Sequence, residues 1–505
     1  MYRSMVSRRA GNRTKNGRIP CTIPSVTAPL GITVDRKART TLTEQIHTGI
    51  REAIRGGRLA AGARLPSWRD LSVQLGVARG TVRAAYERLV DEQLLQGRGA
   101  AGTFVAEGPA TPPRKRAKAE PSPMPEMRRG LEQPPLPFQM GVPAQDAFPF
   151  APWARVLTKA ARDSAWGPVG YPDPRGRIEL RQALAAHLAL VRGMRCDPSQ
   201  VFVTAGFSGA LDLLLRALRP RGPVWMEEPG FPLTRRALEL TGLEPVPVPV
   251  DAEGLVVAEG RRRAPDAQLA IVTPGQQSPL GMTLSPARRR ALLDWAHASE
   301  AWIVEDDYLS ELQLEGRAAP ALASLDPDGR VLHVGSFSKT LSPSLRLGFL
   351  VVPPSLVARV GEAAACLVCA PGDEPQRAVT AFMADGHYLR HLRRMKRLYR
   401  ARREALLARL RAQLGEAFEV QPAGGLAVRI GLPEGLDDRR LAAEALSLGL
   451  APLPLSFWYV GPSRPGLLLS VTNLVERRLA SHVDRLVELL QRHDHSGPHV
   501  DPAHR

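Results

Sequence analysis

The pattern of apolar positions divides the chain into two folded blocks. Between residues 39 and 107 the apolar residues repeat at helical spacing, which predicts a small helical domain. From about 136 to 495 short apolar runs alternate with helical patterns, as expected for a larger α/β domain. The apolar face of the first predicted helix consists of Leu42, Ile46, Ile50 and Ile54.

Two further helices follow in the first block. Ser67 is placed to cap the second helix, and Asp70, three residues later, completes a capping-box pattern. Gly76 ends this helix in a tight turn. The third helix is predicted over roughly residues 79–92, and the residues expected to face inward are Val82, Tyr86, Leu89 and Val90.

The segment LLQGRGAAGTFVAE predicts a β-hairpin with a glycine-rich tip. Three helices and such a wing make a winged helix-turn-helix, whose third helix fits the major groove of DNA. Arg69 and Arg79 are best placed to bind guanine or phosphate. The other candidate DNA contacts are Gly80, Thr81, Arg83, Gly99 and Gly102. The alternative is a small helical interaction domain with surface arginines.

The charge is concentrated at the N-terminal end. The first 130 residues contain 24 Lys and Arg against 10 Asp and Glu, so they carry +14 of the formal net charge of +18. Residues 1–38 are predicted to be a disordered basic tail, and residues 108–135 a proline-rich linker. A basic end beside a nearly neutral bulk favours an anionic partner, most simply double-stranded DNA.

Lys339 is the main candidate for chemistry in the second block. Val331–Val334 read as a buried strand that Gly335 breaks, and Lys339 follows in a serine-rich loop. Enzymes that use pyridoxal 5′-phosphate (PLP) need a lysine for a Schiff base with the cofactor. Ser336, Ser338 and Arg346 supply the hydroxyls and the arginine that a phosphate needs.

The segment AWIVEDDYLSE strengthens this interpretation. An apolar strand over Trp302–Val304 runs into acids, and strand ends are where α/β proteins place ligand groups. Asp306 is the candidate partner of the pyridine nitrogen, and Tyr308 of the ring O3′. Ser278, in TPGQQSPLG, stands where many aminotransferases place an asparagine against O3′.

Other segments supply the remaining parts of a cofactor pocket. A turn of small residues opens a helix and offers free amides to a phosphate, at Gly206, Phe207 and Ser208. Phe231 is the candidate for stacking on the pyridine ring. Tyr171, in GYPDPRG, matches the segment that reaches the phosphate of a neighbouring subunit in such dimers.

The run LPSWRDLSVQLGVARGTVRAAYERLVDEQLLQGRGAAGTFV resembles the DNA-binding domain of GntR-type regulators, except that Ala78 replaces the usual serine. EDDY, SFSK and HLRRMKRLY resemble the domain of the MocR-type subfamily, which has the aminotransferase fold type I. The resemblance implies a cytoplasmic head-to-tail homodimer. In it, each DNA-binding domain lies over the partner's large domain.

One departure from aminotransferases bears on function. The late strand that carries their carboxylate-binding arginine reads GLLLSVTN here, with Leu468 or Leu469 near that position. Together with Ser278, this argues against efficient transamination. The leading hypothesis is therefore a PLP-dependent regulator that responds to PLP, an amine or an amino acid. The alternatives are a working aminotransferase with a DNA-binding domain and a scaffold without a cofactor.

The sequence gives no sign of a membrane span, a secretory signal or a metal site. No run of about 18 apolar residues is present. Cys366 and Cys369 form a CxxC, but no second pair follows, so neither a metal nor a redox role is predicted.

Overall fold

The computed structural model describes residues 31–107, 134–167, 170–368 and 370–494. They belong to two compact units, which divide the chain between Met127 and Arg128. The predicted tail up to residue 30, nearly all of the predicted linker and Cys369 lie outside the described residues. No helix of the described ranges is long and apolar enough to cross a membrane.

The N-terminal unit consists of three helices and a two-stranded wing, as predicted. Its elements are α1 (Leu42–Arg55), α2 (Trp68–Leu75), α3 (Arg79–Asp91), β1 (Leu95–Gly97) and β2 (Thr103–Val105). Leu95 pairs with Val105 at the open end of the antiparallel wing, and Gly97 pairs with Thr103 next to the turn. Ser67 accepts a hydrogen bond from the Asp70 amide at 3.1 Å, and Gly76 adopts a left-handed conformation with φ of 62°.

Two details of this unit differ from the sequence analysis. Val90 is 42% exposed, whereas Val82 and Leu89 are fully buried, so Val90 lies at the outer edge of α3. Ala85 is buried in its place. Ile32 and Val34 pack against the helical core, so ordered chain begins before residue 39. Two apolar residues in an extended segment are too few to produce a periodic signal.

Helix α3 begins without a side-chain cap, because Ala78 has no acceptor. Ala78→Ser is expected to raise the free energy of unfolding of this unit by about 1 kcal/mol, since the hydroxyl would accept from a free N–H of the first turn. Urea denaturation of the full chain, followed by hydrogen exchange in α3, measures the gain. Ala78→Val, which adds no acceptor, is the control. Equal stability of both variants would contradict the capping argument.

The C-terminal unit is built on an eight-stranded sheet with the order β3-β10-β9-β8-β7-β4-β5-β6. Its strands are β3 (Val201–Thr204), β4 (Pro223–Glu228), β5 (Glu244–Asp251), β6 (Gly254–Leu255), β7 (Leu269–Val272), β8 (Trp302–Asp307), β9 (Val331–Ser336) and β10 (Gly348–Val351). Strands β5, β4, β7, β8 and β9 pair in parallel. Strand β10 is antiparallel to both β9 and β3, so β3 runs in the same direction as β9.

A smaller antiparallel sheet completes the unit, with the order β11-β12-β14-β13. Its strands are β11 (Glu419–Ala423), β12 (Ala427–Gly431), β13 (Leu453–Pro454) and β14 (Gly466–Ser470). The helices of the unit are α4 (Phe150–Ala165), α5 (Ile178–Arg192), α6 (Gly206–Leu218), α7 (Pro232–Leu240), α8 (Val257–Arg263), α9 (Pro286–Ala298), α10 (Val357–Cys366), α11 (Asp373–Ala384), α12 (His387–Leu414), α13 (Asp438–Ser447) and α14 (Glu476–Asp494).

Helices cover both faces of the large sheet, as an α/β fold requires. Helices α6 and α10 pack on one face through a core that contains Phe202, Leu214 and Leu350. Helices α8 and α9 cover the opposite face, where Trp225 stacks on Trp295 with ring centroids 3.8 Å apart.

Gly335 does not break β9, which continues to Ser336. It pairs with Phe349 of β10, whose ring lies so close that a Cβ at position 335 would be 2.2 Å from it. The glycine is therefore required by packing inside the strand rather than by a turn after it.

Candidate functional site

The carboxyl ends of the co-directional strands meet at one edge of the large sheet, which brings the predicted cofactor residues together. Asp306 lies near the end of β8, and Ser336 ends β9. Gly206 follows β3 and begins α6, while Phe231 follows β4 and precedes α7. This is the edge where α/β proteins bind ligands.

Lys339 follows β9 and is partly buried at this edge. Its Nζ donates a hydrogen bond to the Gly141 carbonyl oxygen at 3.0 Å. Burial lowers the pKa of Lys339, and the nearby Asp306 carboxylate opposes this shift. The neutral amine is the form that attacks an aldehyde, so a lowered pKa of the lysine favours this reaction.

The Asp306 carboxylate forms no hydrogen bond or ion pair with the described residues, although its backbone is paired with β9. Burial and the carboxylates of Asp307 and Glu227 raise its pKa to about 8, although the Lys339 charge acts in the opposite direction. An unpartnered carboxyl in such a position suits a cation such as a protonated pyridine nitrogen. The residues present at this position therefore fit PLP.

The acids on either side of Asp306 are engaged with other side chains. Asp307 pairs with Arg192 at 2.7 Å, and Glu305 pairs with His333 at 3.0 Å. Burial opposes charge on both Glu305 and His333, but their mutual attraction outweighs it, lowering the pKa of Glu305 and raising that of His333. Of these three consecutive acids, Asp306 is thus the one left for a ligand.

The candidate phosphate site is formed by the start of α6 and the serines around the lysine. A Cβ at Gly206 would be 4.0 Å from the hydroxyls of both Ser336 and Ser338, which are hydrogen-bonded to each other at 3.0 Å. Phe207 is partly buried and Ser208 exposed in the first turn of α6. Arg346 is exposed and adopts a φ of 47°.

A chain of hydrogen bonds links the candidate O3′ side of the pocket to a buried acid that the sequence analysis missed. Burial raises the pKa of Tyr308, and the neighbouring Ser278 side chain opposes this shift. The Ser278 amide donates to Thr273 Oγ1 at 3.0 Å. Thr273 in turn donates to Glu227 at 2.5 Å. Burial raises the pKa of Glu227 to about 7. No local motif joins Glu227 to Thr273, because 46 residues separate them.

The structure distinguishes the two leucines considered for the position of the carboxylate-binding arginine. Leu468 is fully buried in a cluster with Trp458 and Leu455, against which Phe231 and Met140 pack. Leu469 belongs to the main core behind the small sheet. Met140, which packs against this cluster, is followed by Gly141, whose carbonyl oxygen accepts the hydrogen bond from Lys339. The cluster that contains Leu468 therefore lies beside the lysine.

Arg429 lies opposite Leu468 on the neighbouring strand β12. Directly paired residues share a face of the sheet. Arg429 is therefore the arginine to consider as a replacement for the carboxylate-binding arginine of aminotransferases. It is bound to Glu419 at 2.9 Å and to Gln421 at 3.0 Å. Its charge is therefore already paired.

Tyr171 stands apart from the other predicted cofactor residues. Its side chain is fully exposed, and it forms no contact with the described residues of its own unit. Phe231 is partly buried and lies 5.6 Å, between ring centroids, from Trp458.

The predicted DNA-contacting residues lie on the outside of the N-terminal unit. Arg79 and Gly80, the first residues of α3, are both exposed, and Arg79 has no partner among the described side chains. Thr81 is partly buried. Arg83 is exposed and paired with Glu87 at 2.8 Å one turn further along.

The rest of this surface comprises α2 and the wing. Arg69 is exposed and lies over the Trp68 ring, 5.0 Å from its centroid. Gly99 and Gly102 have φ values of 55° and 105°, which glycine adopts easily. The sequence analysis missed Arg98, which lies over the Phe104 ring at 5.0 Å.

Comparisons with known proteins agree with both units. The family "Bacterial regulatory proteins, gntR family" matches residues 42–105, and "Aminotransferase class I and II" matches residues 144–448. The chain is 34% identical over 470 residues to the probable rhizopine catabolism regulatory protein MocR of Rhizobium meliloti, covering 90% of this chain and 95% of that protein.

A second relative and a solved structure support the same assignment. The pyridoxine biosynthesis regulator PdxR of Corynebacterium glutamicum is 34% identical over 377 residues, which cover 74% of this chain and 80% of that one. The structure of the α-aminoadipate aminotransferase LysN from Thermus thermophilus, complexed with N-(5′-phosphopyridoxyl)-L-leucine, matches with a TM-score of 0.64 and 28% identity. It covers 71% of this chain and 92% of LysN.

The winged helix-turn-helix, the aminotransferase fold and the relatives that join both domains lead to one conclusion. The C-terminal unit has the fold type I architecture of PLP-dependent aminotransferases, and the N-terminal unit is a GntR-type DNA-binding domain. The chain belongs to the MocR-type subfamily of GntR transcriptional regulators, DNA-binding proteins that carry an aminotransferase-like domain.

Proposed function

We propose that the chain is a PLP-dependent regulator whose C-terminal unit senses a small molecule and thereby changes operator binding by the N-terminal unit. The observation that carries the cofactor assignment is that a partly buried Lys339 and the unpartnered carboxylate of Asp306 lie near each other at one sheet edge. When bound, PLP supplies an aldehyde and an electron-poor ring that hold an amine reversibly.

Each part of the cofactor has a proposed holder. Lys339 binds the aldehyde carbon, Asp306 the pyridine nitrogen, and Tyr308 with Ser278 the ring hydroxyl. Phe231 provides the aromatic face. The phosphate is assigned to Gly206, Phe207, Ser208, Ser336, Ser338 and Arg346.

A homodimer would complete this pocket. Tyr171 is fully exposed on its own chain, and in the proposed dimer it reaches the phosphate site of the partner. An exposed tyrosine is otherwise unexplained, since aromatic side chains normally bury most of their area. We propose a head-to-tail arrangement for this dimer.

The effector is proposed to be an amine without an α-carboxylate, or PLP itself. Leu468 occupies the place of the carboxylate-binding arginine, and the wall around it is apolar. An amino-acid carboxylate brought against this wall would lose its hydration without gaining a partner. The relative PdxR carries pyridoxine biosynthesis in its name, which favours PLP as one of the two candidates.

The second candidate function is an active aminotransferase. It is favoured by the joint presence of Lys339, Asp306 and Tyr308 at one edge, as transamination chemistry requires. The two functions differ in whether the bound amine is turned over or only held.

Operator binding with and without PLP tests the proposed function. We expect the operator dissociation constant at fixed salt to change when PLP, or PLP with a panel of amines, is added to the full-length protein. Matched pairs such as phenethylamine and phenylalanine differ only in the carboxylate and so test the effector class. An operator affinity that is the same under all these conditions would refute sensing.

Arg79→Ala is expected to weaken operator binding by about 1–3 kcal/mol, the range for a good bidentate base contact. Arg79 opens α3, is exposed and has no competing partner, so its loss removes a contact without leaving a buried charge. Titration of the full-length protein with operator DNA at matched salt measures the effect. The control is Arg88→Ala, in the last turn of α3, where the lost charge was already paired with Glu44 and no DNA contact is proposed. Equal affinities of wild type and Arg79→Ala would exclude the proposed docking of α3.

A further inference from the structure

A backbone segment near the start of the C-terminal unit, residues 137–146, lies against the cofactor lysine. The Gly141 carbonyl oxygen accepts the hydrogen bond from Lys339 Nζ at 3.0 Å. Gly141 has a φ of 86°, and a Cβ there would be 3.1 Å from Nζ. The backbone thus approaches the amine closely, and its positive φ favours glycine at this position.

The segment is fixed to the small sheet and to α12 on either side of Gly141. The Phe138 carbonyl accepts from the Ser470 amide at 2.9 Å. Asn473 Nδ2 donates to the Val142 carbonyl at 3.2 Å, and the Ala144 amide donates to the buried Tyr399 hydroxyl at 2.9 Å. These hydrogen bonds fix the position of the Gly141 carbonyl relative to Lys339 Nζ.

The same segment is the first part of the C-terminal unit after the residues that join it in sequence to the DNA-binding unit. Residues 108–133 separate the last wing residues from Pro134. No described element of secondary structure lies between the wing and residues 137–146 in sequence.

The hydrogen bond to Gly141 depends on the chemical state of Lys339. A free amine or ammonium carries two or three N–H bonds, and rotation about its stem can direct one of them at a carbonyl. When the amine condenses with the PLP aldehyde, a C=N bond forms, the C=O bond breaks, and water leaves with the aldehyde oxygen and both amine hydrogens. The resulting nitrogen keeps at most one proton, whose direction the C=N plane fixes.

We propose that residues 137–146 detect whether Lys339 is free or bound to PLP through the Gly141 carbonyl, and that Tyr399 and Asn473 are the positioning residues that make this detection possible. The proposal rests on the proposed function, because it needs PLP on Lys339. It goes further by identifying the element through which occupancy of the lysine reaches the linker. A primary amine that displaces Lys339 from PLP returns the free amine and restores the contact.

Hydrogen–deuterium exchange of the full-length protein tests the first half of this proposal. Peptides that cover residues 137–146 are expected to exchange faster with PLP bound than without it, because the contact with Lys339 is lost. Peptides from α8, which packs against β5 and α9 and contains no proposed cofactor residue, serve as the internal control. If residues 137–146 exchange no faster with PLP bound than without it, the proposal is overturned.

Two variants test the second half. Tyr399→Phe removes the acceptor of the Ala144 amide, and Asn473→Leu removes the donor to Val142, while neither residue touches the proposed cofactor holders. Arg411→Lys, at the far end of α12, controls for general loosening of that helix. Allosteric coupling is ordinarily about 5- to 150-fold, and we expect the PLP-dependent ratio of operator dissociation constants to fall toward 1 in the two variants only.

The outcomes separate the two proposals. If wild type shows no dependence of operator affinity on PLP, the proposed function fails. If wild type shows it and the folded variants keep it in full, with unchanged PLP absorbance, the positioning role fails. Should Tyr399→Phe not fold, Asn473→Leu and the exchange data on wild type still decide the question.

Discussion

Replacing Lys339 with alanine is expected to abolish the covalent PLP adduct that borohydride fixes to the protein. Lys339 is the lysine that the structure places beside the unpartnered Asp306, and a Schiff base needs its primary amine. Mass spectrometry of wild type after reduction should find PLP on the peptide that contains residue 339. In Lys339→Ala the whole protein should carry no added mass.

Lys396→Ala is a matched control for this experiment. Lys396 is also partly buried, and burial lowers its pKa as well, but it lies on α12 and not in the segment after β9. The control should retain the full adduct and its visible absorbance. Fixation of PLP to Lys339→Ala at the wild-type level would mean that another lysine is the attachment site.

Steady-state transamination by the wild-type protein is expected to remain below about 1 s⁻¹, the low end for ordinary enzymes. Leu468, at the proposed place of the carboxylate-binding arginine, lies in an apolar cluster, and Arg429 is already held by Glu419 and Gln421. A buried charge without a partner costs several kcal/mol, and each 1.36 kcal/mol is tenfold in rate if it falls on the transition state. Common amino acids with 2-oxoglutarate are the substrates to measure.

Leu468→Arg gives a second measurement on the same wall. It should improve the affinity for amino acids relative to the matched amines, as followed by the absorbance of bound PLP. Leu468→Met keeps the wall apolar and should leave that preference unchanged. A wild-type turnover of 1 s⁻¹ or more would instead favour the aminotransferase hypothesis, whatever Leu468→Arg does.

The features that the sequence predicted well are those encoded within a few neighbouring residues. Ser67 and Asp70 are three residues apart, so the cap of α2 is readable from the chain alone. Lys339 and Ser338 lie in the segment directly after Ser336, the last residue of β9, and Asp306 lies near the end of an apolar strand. Each of these signals depends on local periodicity or on a turn, which neighbouring residues determine.

The features that escaped prediction depend on contacts between distant segments. The Gly141 carbonyl and Lys339 are 198 residues apart in sequence, and nothing near either residue points to the other. Gly335 looked like a strand breaker because the ring of Phe349, on the next strand, is invisible to a local pattern. The choice between Leu468 and Leu469 required the register of β14 against β12.

The raised pKa values of Asp306 and Glu227 have a consequence for the stability of the protein without its cofactor. Both carboxyls bind protons more tightly in the folded chain than in the unfolded one, from 3.8 to about 8 and from 4.5 to about 7. By proton linkage, the folded state loses stability from these groups as the pH rises from about 4 toward 8. A cation placed on Asp306 removes part of that loss. The ligand pocket is thus a destabilising element of the free fold at neutral pH, and a cofactor that fills it acts also as a folding ligand.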